Sequence, residues 1–289
     1  MSVMRGVPEP VLGPPPGVTR EVLGVTIEDG PVPPPWDAAI VTHRLCADAY
    51  RFRLQNGPVA LYVENGDRVV IEAPDAETRL LYDFFAYATA PRALLWQRHR
   101  YNLHATLVVS PEGRAVAIMG HSMAGKSTTT IELMRRGWTF GCDDVVEVDM
   151  ADDRAVAVPL ARPIHLSDRA AGLLGADLAM GRPLPWPGKR VFALESSDRA
   201  VELAALVHLQ ADEGEGEVSL SRLDALGSLS LVGAHSDTLG VCQLPEHRAD
   251  YLRWTAAAVG RVGAWRVTRP RDSDSVSCVG DAVEESMRL

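Results

Sequence analysis

The chain has 289 residues, 46% of them apolar and 23% charged, with a formal net charge of −9. That composition supports a sizeable core in one large domain, or in a main domain with a smaller appendage. The acidity excludes a sequence-independent nucleic-acid binder, which needs a basic surface to neutralise phosphates, while leaving room for a locally basic pocket.

The amino terminus carries prolines and Glu9 where a secretion signal has its apolar segment. No apolar stretch approaches the ~20 residues of a membrane-spanning helix. The sequence therefore reads as soluble and cytoplasmic, with neither nucleic acid nor membrane as partner. Residues 1–35 hold "GPPPG" and "GPVPPPW". Proline fixes φ and removes a donor, so this segment is expected to be a flexible arm. Between His43 and Ile71, "AYRFRL", "VALYVE" and "RVVIEA" read as strands broken at "QNGP" and "NGD", where Asn-Gly signals hairpins. "DAETRLLYDFFAYATA" reads as a helix opening at Asp75. These elements define a small β-rich amino-terminal module over residues 36–93. It reads as a groove or strand edge for an extended chain, a structural platform, or a dimer contact.

A larger unit is expected over residues 94–289. "ATLVVS" and "AVAIM" read as strands joined by "PEGR", and "KSTTTIELMRR" reads as a helix stopped by Gly137. "WTFGC" is a strand running into Asp143 and Asp144, followed by "VVEVD". Further on, "HLSDRAAGLLG", "PEHRADYLRWTAAAV" and "DSVSCVGDAVEESMRL" read as helices, and "AVELAALVHLQ" and "WRVTRP" as strands. "ADEGEGE" reads as a solvated loop. Cys46, Cys142, Cys242 and Cys278 lack CxxC spacing and read as small core residues with reduced thiols.

The chemistry concentrates at "GHSMAGKSTT", Gly120 to Thr129. Gly120-x-x-x-x-Gly125-Lys126-Ser127 meets the full spacing of a phosphate-binding loop, with a strand before it and a helix after it. In such a loop, backbone N–H groups converge on the phosphates, which sets Gly120, His121, Ser122, Met123, Ala124, Gly125, Lys126, Ser127 and Thr128 as the nucleotide cradle. Lys126 brings a cation to the β- and γ-phosphates, and the Ser127 hydroxyl suits Mg²⁺. His121 reads either as a phosphate or substrate contact or as a tolerated exposed position, and Met123 as a packing residue. Asp143 and Asp144 lie 17 and 18 residues beyond Lys126. A strand that follows the loop's helix is expected to lie beside the loop's own strand, bringing these acids to the same crevice. One carboxylate then serves Mg²⁺ and the other accepts a proton from an attacking hydroxyl; alone, such a pair also suits a turn or a helix cap. Lys189 and Arg190 in "WPGKRVF" read either as cations closing over a transferring phosphoryl group or as a solvated pair, and Arg162 likewise. His104 reads as a site residue or as an ordinary strand start.

"LHATLVV…AVAIMGHSMAGKSTTTIELMRRGWTFGCDDVVEVD", covering Leu103 to Asp149, resembles the catalytic core of the HPr kinase/phosphorylase family. The shared marks are a His ahead of the loop, a short helix ending "RRG", and a double Asp followed by a short strand. The resemblance implies an α/β (α+β) P-loop kinase core, of a type shared more distantly with phosphoenolpyruvate carboxykinase, carrying the small β-rich module. It implies ATP and Mg²⁺ as cofactors, Asp143 as the base for a serine hydroxyl, Ser127 and Asp144 near the metal, and His104 near the phosphates. Family members often form homo-oligomers. The sequence departs from the family at His121 and Met123, where Asp and Gly are usual, and lacks the glycine-rich segment of bifunctional members. In this it is similar to the shorter HPr-kinase-like proteins of bacterial peptide natural-product pathways, lasso peptides among them. The expected activity is an ATP-dependent kinase acting on a Ser/Thr hydroxyl of a peptide or protein. A small-molecule kinase and a non-transferring nucleotide sensor are the alternatives. A GTPase switch is disfavoured, because Asn56, Asn65 and Asn102 all precede the loop and no Asn-Lys-x-Asp follows it. A transporter-type ATPase is disfavoured by the lack of any Gly-Gly.

Overall fold

A computed structural model describes residues 12, 20–33, 43–45, 48–53, 59–73, 75, 78–160, 163–173, 175, 177–184, 188–197, 199–212, 216–236, 239–240, 244–271 and 275–289. The first sheet holds β1 (Glu21–Val22), β2 (Val25–Asp29), β3 (His43–Leu45), β4 (Ala49–Arg53), β5 (Ala60–Glu64) and β6 (Arg68–Glu72). Its order is β1-β2-β6-β5-β4-β3, antiparallel except for the parallel pair β2–β6. The expectation of an irregular arm through residue 35 therefore fails at β1 and β2. Prolines flank "EVLGVTIED" without entering it, and Val25 and Ile27 alternate into the core.

Asp75 does not open the next helix; it caps the chain from outside, its Oδ1 accepting from the Thr78 N–H at 2.8 Å. Helix α1 (Arg79–Phe84) passes through a π-helical turn, Phe85–Thr89, into α2 (Ala90–Gln97), which carries Pro91 in its first turn. The helical run thus continues through the expected module boundary near Arg92.

The remaining elements are β7 (Asn102–Leu103), β8 (Thr106–Val109), β9 (Ala115–Met119), α3 (Lys126–Arg135), β10 (Thr139–Cys142), β11 (Val146–Ala151), β12 (Arg154–Pro159), β13 (Ile164–Ser167), α4 (Asp168–Leu173), β14 (Arg182–Pro183), β15 (Lys189–Phe192), β16 (Val201–Asp212), β17 (Ser219–Arg222), α5 (Ala225–Ser236), α6 (Pro245–Arg261), β18 (Gly263–Pro270) and α7 (Val276–Ser286). The large sheet runs β10-β8-β9-β16-β12-β11-β7, with β18 parallel to β16 and β17 antiparallel to β18. A small sheet, β13-β15-β14, stands apart. The mixed α/β class read from the sequence is the class observed. "HLSDRAAGLLG" divides into β13 and α4 instead of forming one helix, and β12, β17 and α5 were not anticipated.

Strand β10 pairs with β8, not with β9 as expected. Because β8 is antiparallel to both, β9 and β10 still run the same way with one strand between them, and their carboxyl ends share one edge.

The apolar run of β9 is buried on both faces. Val116 and Ile118 join Leu133 of α3 and Val279 and Val283 of α7. Ala117 and Met119 face a larger cluster with Leu107, Leu94, Phe85 and Leu61. The amino-terminal sheet and the large sheet therefore share one apolar core. Cys142 is buried and Cys278 exposed, so the core reading holds for the first and fails for the second. Cys46, Cys242 and Arg162 lie outside the described residues. Among the described residues no helix is long and apolar enough to cross a membrane.

Candidate active site

The loop between β9 and α3 begins where β9 lies parallel to β16, with Met119 opposite His208. A Cβ on Gly120 would stand 2.7 Å from the Leu209 carbonyl oxygen, so only glycine lets the loop leave the sheet here. Gly125 (φ 110°) precedes α3, and the Arg269 guanidinium packs 3.1 Å from where its Cβ would be. Arg269 Nε donates to the Ala124 carbonyl at 3.0 Å, tying the end of β18 to the loop. Lys126 Nζ donates to the Gly120 carbonyl at 2.7 Å, inside the ring the loop forms. Burial lowers the Lys126 pKa, the charges of Asp143 and Asp144 oppose that, and Lys189 adds to it.

Met123 does not pack, contrary to expectation. It is 90% exposed at φ 68°, at the outer turn of the loop. With only the loop backbone beside it, its side chain has no core to enter. His121 and Ser122 are exposed beside it.

Asp143 and Asp144 stand where β10 gives way to β11. Asp143 is buried, and Thr106 Oγ1 of β8 donates to its Oδ1 at 2.6 Å. Burial, then the charge of Asp144, push its pKa up. Asp144 adopts φ 68°, a conformation that a non-glycine residue holds only under constraint. Its Oδ2 lies 3.1 Å from His165 Nδ1 of β13. Burial opposes the ionised form of Asp144. The His165 hydrogen bond and the charges of His165 and Arg92 outweigh it and hold the carboxyl well below the usual range. Two adjacent acids are thus pushed apart, one toward proton acceptance and one toward permanent charge.

Two of the groups that shape this corner escaped the sequence reading. Arg92 of α2 donates from Nη2 to His104 Nδ1 at 2.6 Å and to the Asp144 carbonyl at 3.0 Å. Since a guanidinium only donates, His104 Nδ1 accepts and the ring is neutral with its proton on Nε2. Burial, then the Arg92 charge, lower the His104 pKa to about 4. The signal for Arg92 was present, since it is the only charge between Phe84 and Trp96 in an otherwise uncharged helical run. His165 was hidden inside a segment read as helix.

Arg190 is not brought to the acids. It pairs across the hairpin with Leu166, while Lys189 pairs with Ser167 and shares the strand face of His165. The Arg190 guanidinium bonds Asp168 at 3.0 Å and the Gly181 carbonyl at 3.2 Å. Strand alternation therefore makes Lys189, whose charge reaches Lys126, the basic residue on the loop's side.

Asp143, Asp144 and His165 each offer one ligand atom, all within 4.8 Å of one another. Carboxylates with an imidazole suit a divalent cation. The Ser127 hydroxyl, 3.5 Å from the His165 carbonyl oxygen, adjoins the group. On the other side of His104 opens a cavity of about 580 Å³, lined by Gly120, His121, Ser122, His208, His235 and Arg266 among others. The His235 ring stacks on that of His104 with centroids 6.5 Å apart.

The sequence is similar to an HPr kinase/phosphorylase. The match is to the Enterococcus faecalis protein, at 34% identity over 129 residues, covering 42% of this chain and 39% of that one. The chain thus spans about two fifths of that relative's length. Among solved structures, the Hpr(Ser) kinase/phosphatase from Coxiella burnetii aligns over 64% of this chain and 94% of that chain, at 13% identity and a TM-score of 0.34. So loose a superposition carries no argument. No family model matches the chain.

Proposed function

We propose that the protein is an ATP-dependent kinase transferring the γ-phosphoryl group to a serine or threonine hydroxyl of a peptide or protein, peptide natural-product precursors included. One observation carries the reading: a buried carboxyl with a raised pKa, Asp143, stands beside an ionised one at the mouth of a complete phosphate loop. The sequence similarity to an HPr kinase/phosphorylase supports it.

In this reading the loop amides and Lys126 hold the nucleotide phosphates. Asp144 and Ser127 would hold Mg²⁺, which would neutralise charge at the phosphates. The acceptor oxygen attacks the γ-phosphorus, and the bond to the leaving ADP oxygen breaks. Asp143 takes the hydroxyl proton, with Thr106 fixing its other oxygen. Neutral His104, held by Arg92, donates from Nε2 without adding positive charge. Lys189, on the strand face of His165, would bring a cation to the transferring group.

A small-molecule kinase is the second reading, favoured by the cavity beside His104. About 580 Å³ is the size of an ordinary small-ligand pocket. The test is to incubate the purified chain with Mg-ATP and two acceptor pools, one of serine- and threonine-bearing peptides and one of small alcohols. Phosphopeptide detected by mass spectrometry supports the first reading, and phosphorylated alcohol alone supports the second. Nucleotide binding with transfer to neither pool favours a sensor.

A further inference from the structure

The corner contains one group that phosphate transfer with Mg²⁺ does not call for: the His165 imidazole. Mg²⁺ favours an all-oxygen shell, which a carboxylate, a hydroxyl and phosphate oxygens supply without an imidazole. Yet β13 carries a ring, mostly covered at 15% side-chain exposure, whose Nδ1 stands 3.1 Å from Asp144 Oδ2. That spacing matches adjacent ligand atoms around one ion at roughly 2.1–2.2 Å from each. Asp143 completes a set whose ligand atoms all lie within 4.8 Å. Three separate chain segments converge here: the turn after β10, β13, and the start of α3 through the Ser127–His165 contact.

We propose that His165 is a nitrogen ligand to the divalent cation at Asp144, beside the base Asp143, making the site selective for Mn²⁺ over Mg²⁺. Imidazole raises affinity along the transition-metal series and contributes little to Mg²⁺. Ligation through Nδ1 requires the ring to carry its one proton on Nε2, so that the Nδ1 lone pair takes the metal in place of the hydrogen bond to Asp144. Ligation and the hydrogen bond to Asp144 use the same ring nitrogen, so Nδ1 faces the position an ion beside Asp144 would take. The inference depends on the kinase reading only for the expectation that a divalent cation is used.

The test uses the full chain and Mn²⁺ itself, with and without ATP. Free Mn²⁺ is followed by electron paramagnetic resonance during titration, and ¹⁴N coupling to bound Mn²⁺ by pulsed measurement. The wild type is expected to show ¹⁴N coupling and to require a large excess of Mg²⁺ for displacement. His165→Gln, which keeps a donor for Asp144, should lose the coupling and weaken Mn²⁺ about tenfold or more, with Mg²⁺ affinity nearly unchanged. Circular dichroism establishes that the variant is folded, and His165→Asn provides a second test at a shorter side-chain length. Bound Mn²⁺ without ¹⁴N coupling overturns the proposal, as does equal Mn²⁺ affinity in wild type and His165→Gln, or no Mn²⁺ binding under either condition. A fluorescent ATP analogue titrated in parallel separates the readings. Its failure to bind removes the nucleotide reading, whereas a negative Mn²⁺ result with the analogue bound removes only the role of His165.

Discussion

The two halves of the candidate site are built on different principles. The phosphate half is a backbone object: nine consecutive residues from Gly120 to Thr128, shaped by two glycines at positive φ and pinned by Leu209 and Arg269. The acidic half is a side-chain object, assembled from α2, β8, β13 and the turn after β10, with Arg92, Thr106, His165, Asp143 and Asp144 each holding another. A backbone device tolerates varied side chains, which is consistent with an exposed Met123 and His121 in its outer turn. A side-chain device depends on the identity of every member.

The largest expected effect comes from the acidic half. Asp143→Asn should lower the rate of transfer about 10²–10⁴-fold while leaving ATP affinity nearly intact; single-turnover kinetics beside nucleotide titration would show the split. Lys126→Ala should weaken both. Full activity of Asp143→Asn would place the base elsewhere and dissolve the contrast between the halves.

Next in size is a pH effect on stability at their junction. Burial, followed by the charges of His208 and Lys126, lowers the His235 pKa to about 4, against about 6.5 in an unfolded chain. The unfolded state therefore binds the extra proton first. Stability should be complete above pH 6.5 and fall as pH drops toward 4, by up to roughly 3 kcal/mol from this group. The melting temperature of the wild type should fall relative to that of His235→Gln as pH drops through that window, and stay at a constant offset above it.

The backbone half has its own characteristic failure. Gly120→Ala should cost about 2 kcal/mol of folding stability, because the new methyl group meets the Leu209 carbonyl. Chemical denaturation measures it, and a neutral result would show that β16 yields to the loop. The smallest effects test which hairpin face matters. Lys189→Ala should slow transfer roughly tenfold, whereas Arg190→Ala should change it less than twofold and register in melting temperature through the lost Asp168 contact.

The same division explains what could be read from sequence. The loop was legible because its parts are contiguous and each has a fixed chemical reason. Asp143 and Asp144 were legible through their distance from Lys126, even though the expected pairing of β10 with β9 was replaced by β8 lying between them. Strand direction, not adjacency, carried the acids to the right edge. Arg190 was misplaced because a loop entering a strand does not reveal which of two neighbouring residues faces the site; the register with Ser167 and Leu166 does. Arg92 and His165 reach the corner through tertiary packing, and nothing in their local spacing points to an acid 52 or 21 residues away. The strands at Glu21–Asp29 were obscured by the prolines on either side.

One consequence follows from α2. This helix rests on β5 of the amino-terminal sheet and extends Arg92 to the turn that holds Asp144. The amino-terminal sheet and the acidic corner are thereby joined through one helix. An exchange of the amino-terminal sheet between related chains would also change the seat of Arg92, so a graft of that sheet has to carry α2 with it.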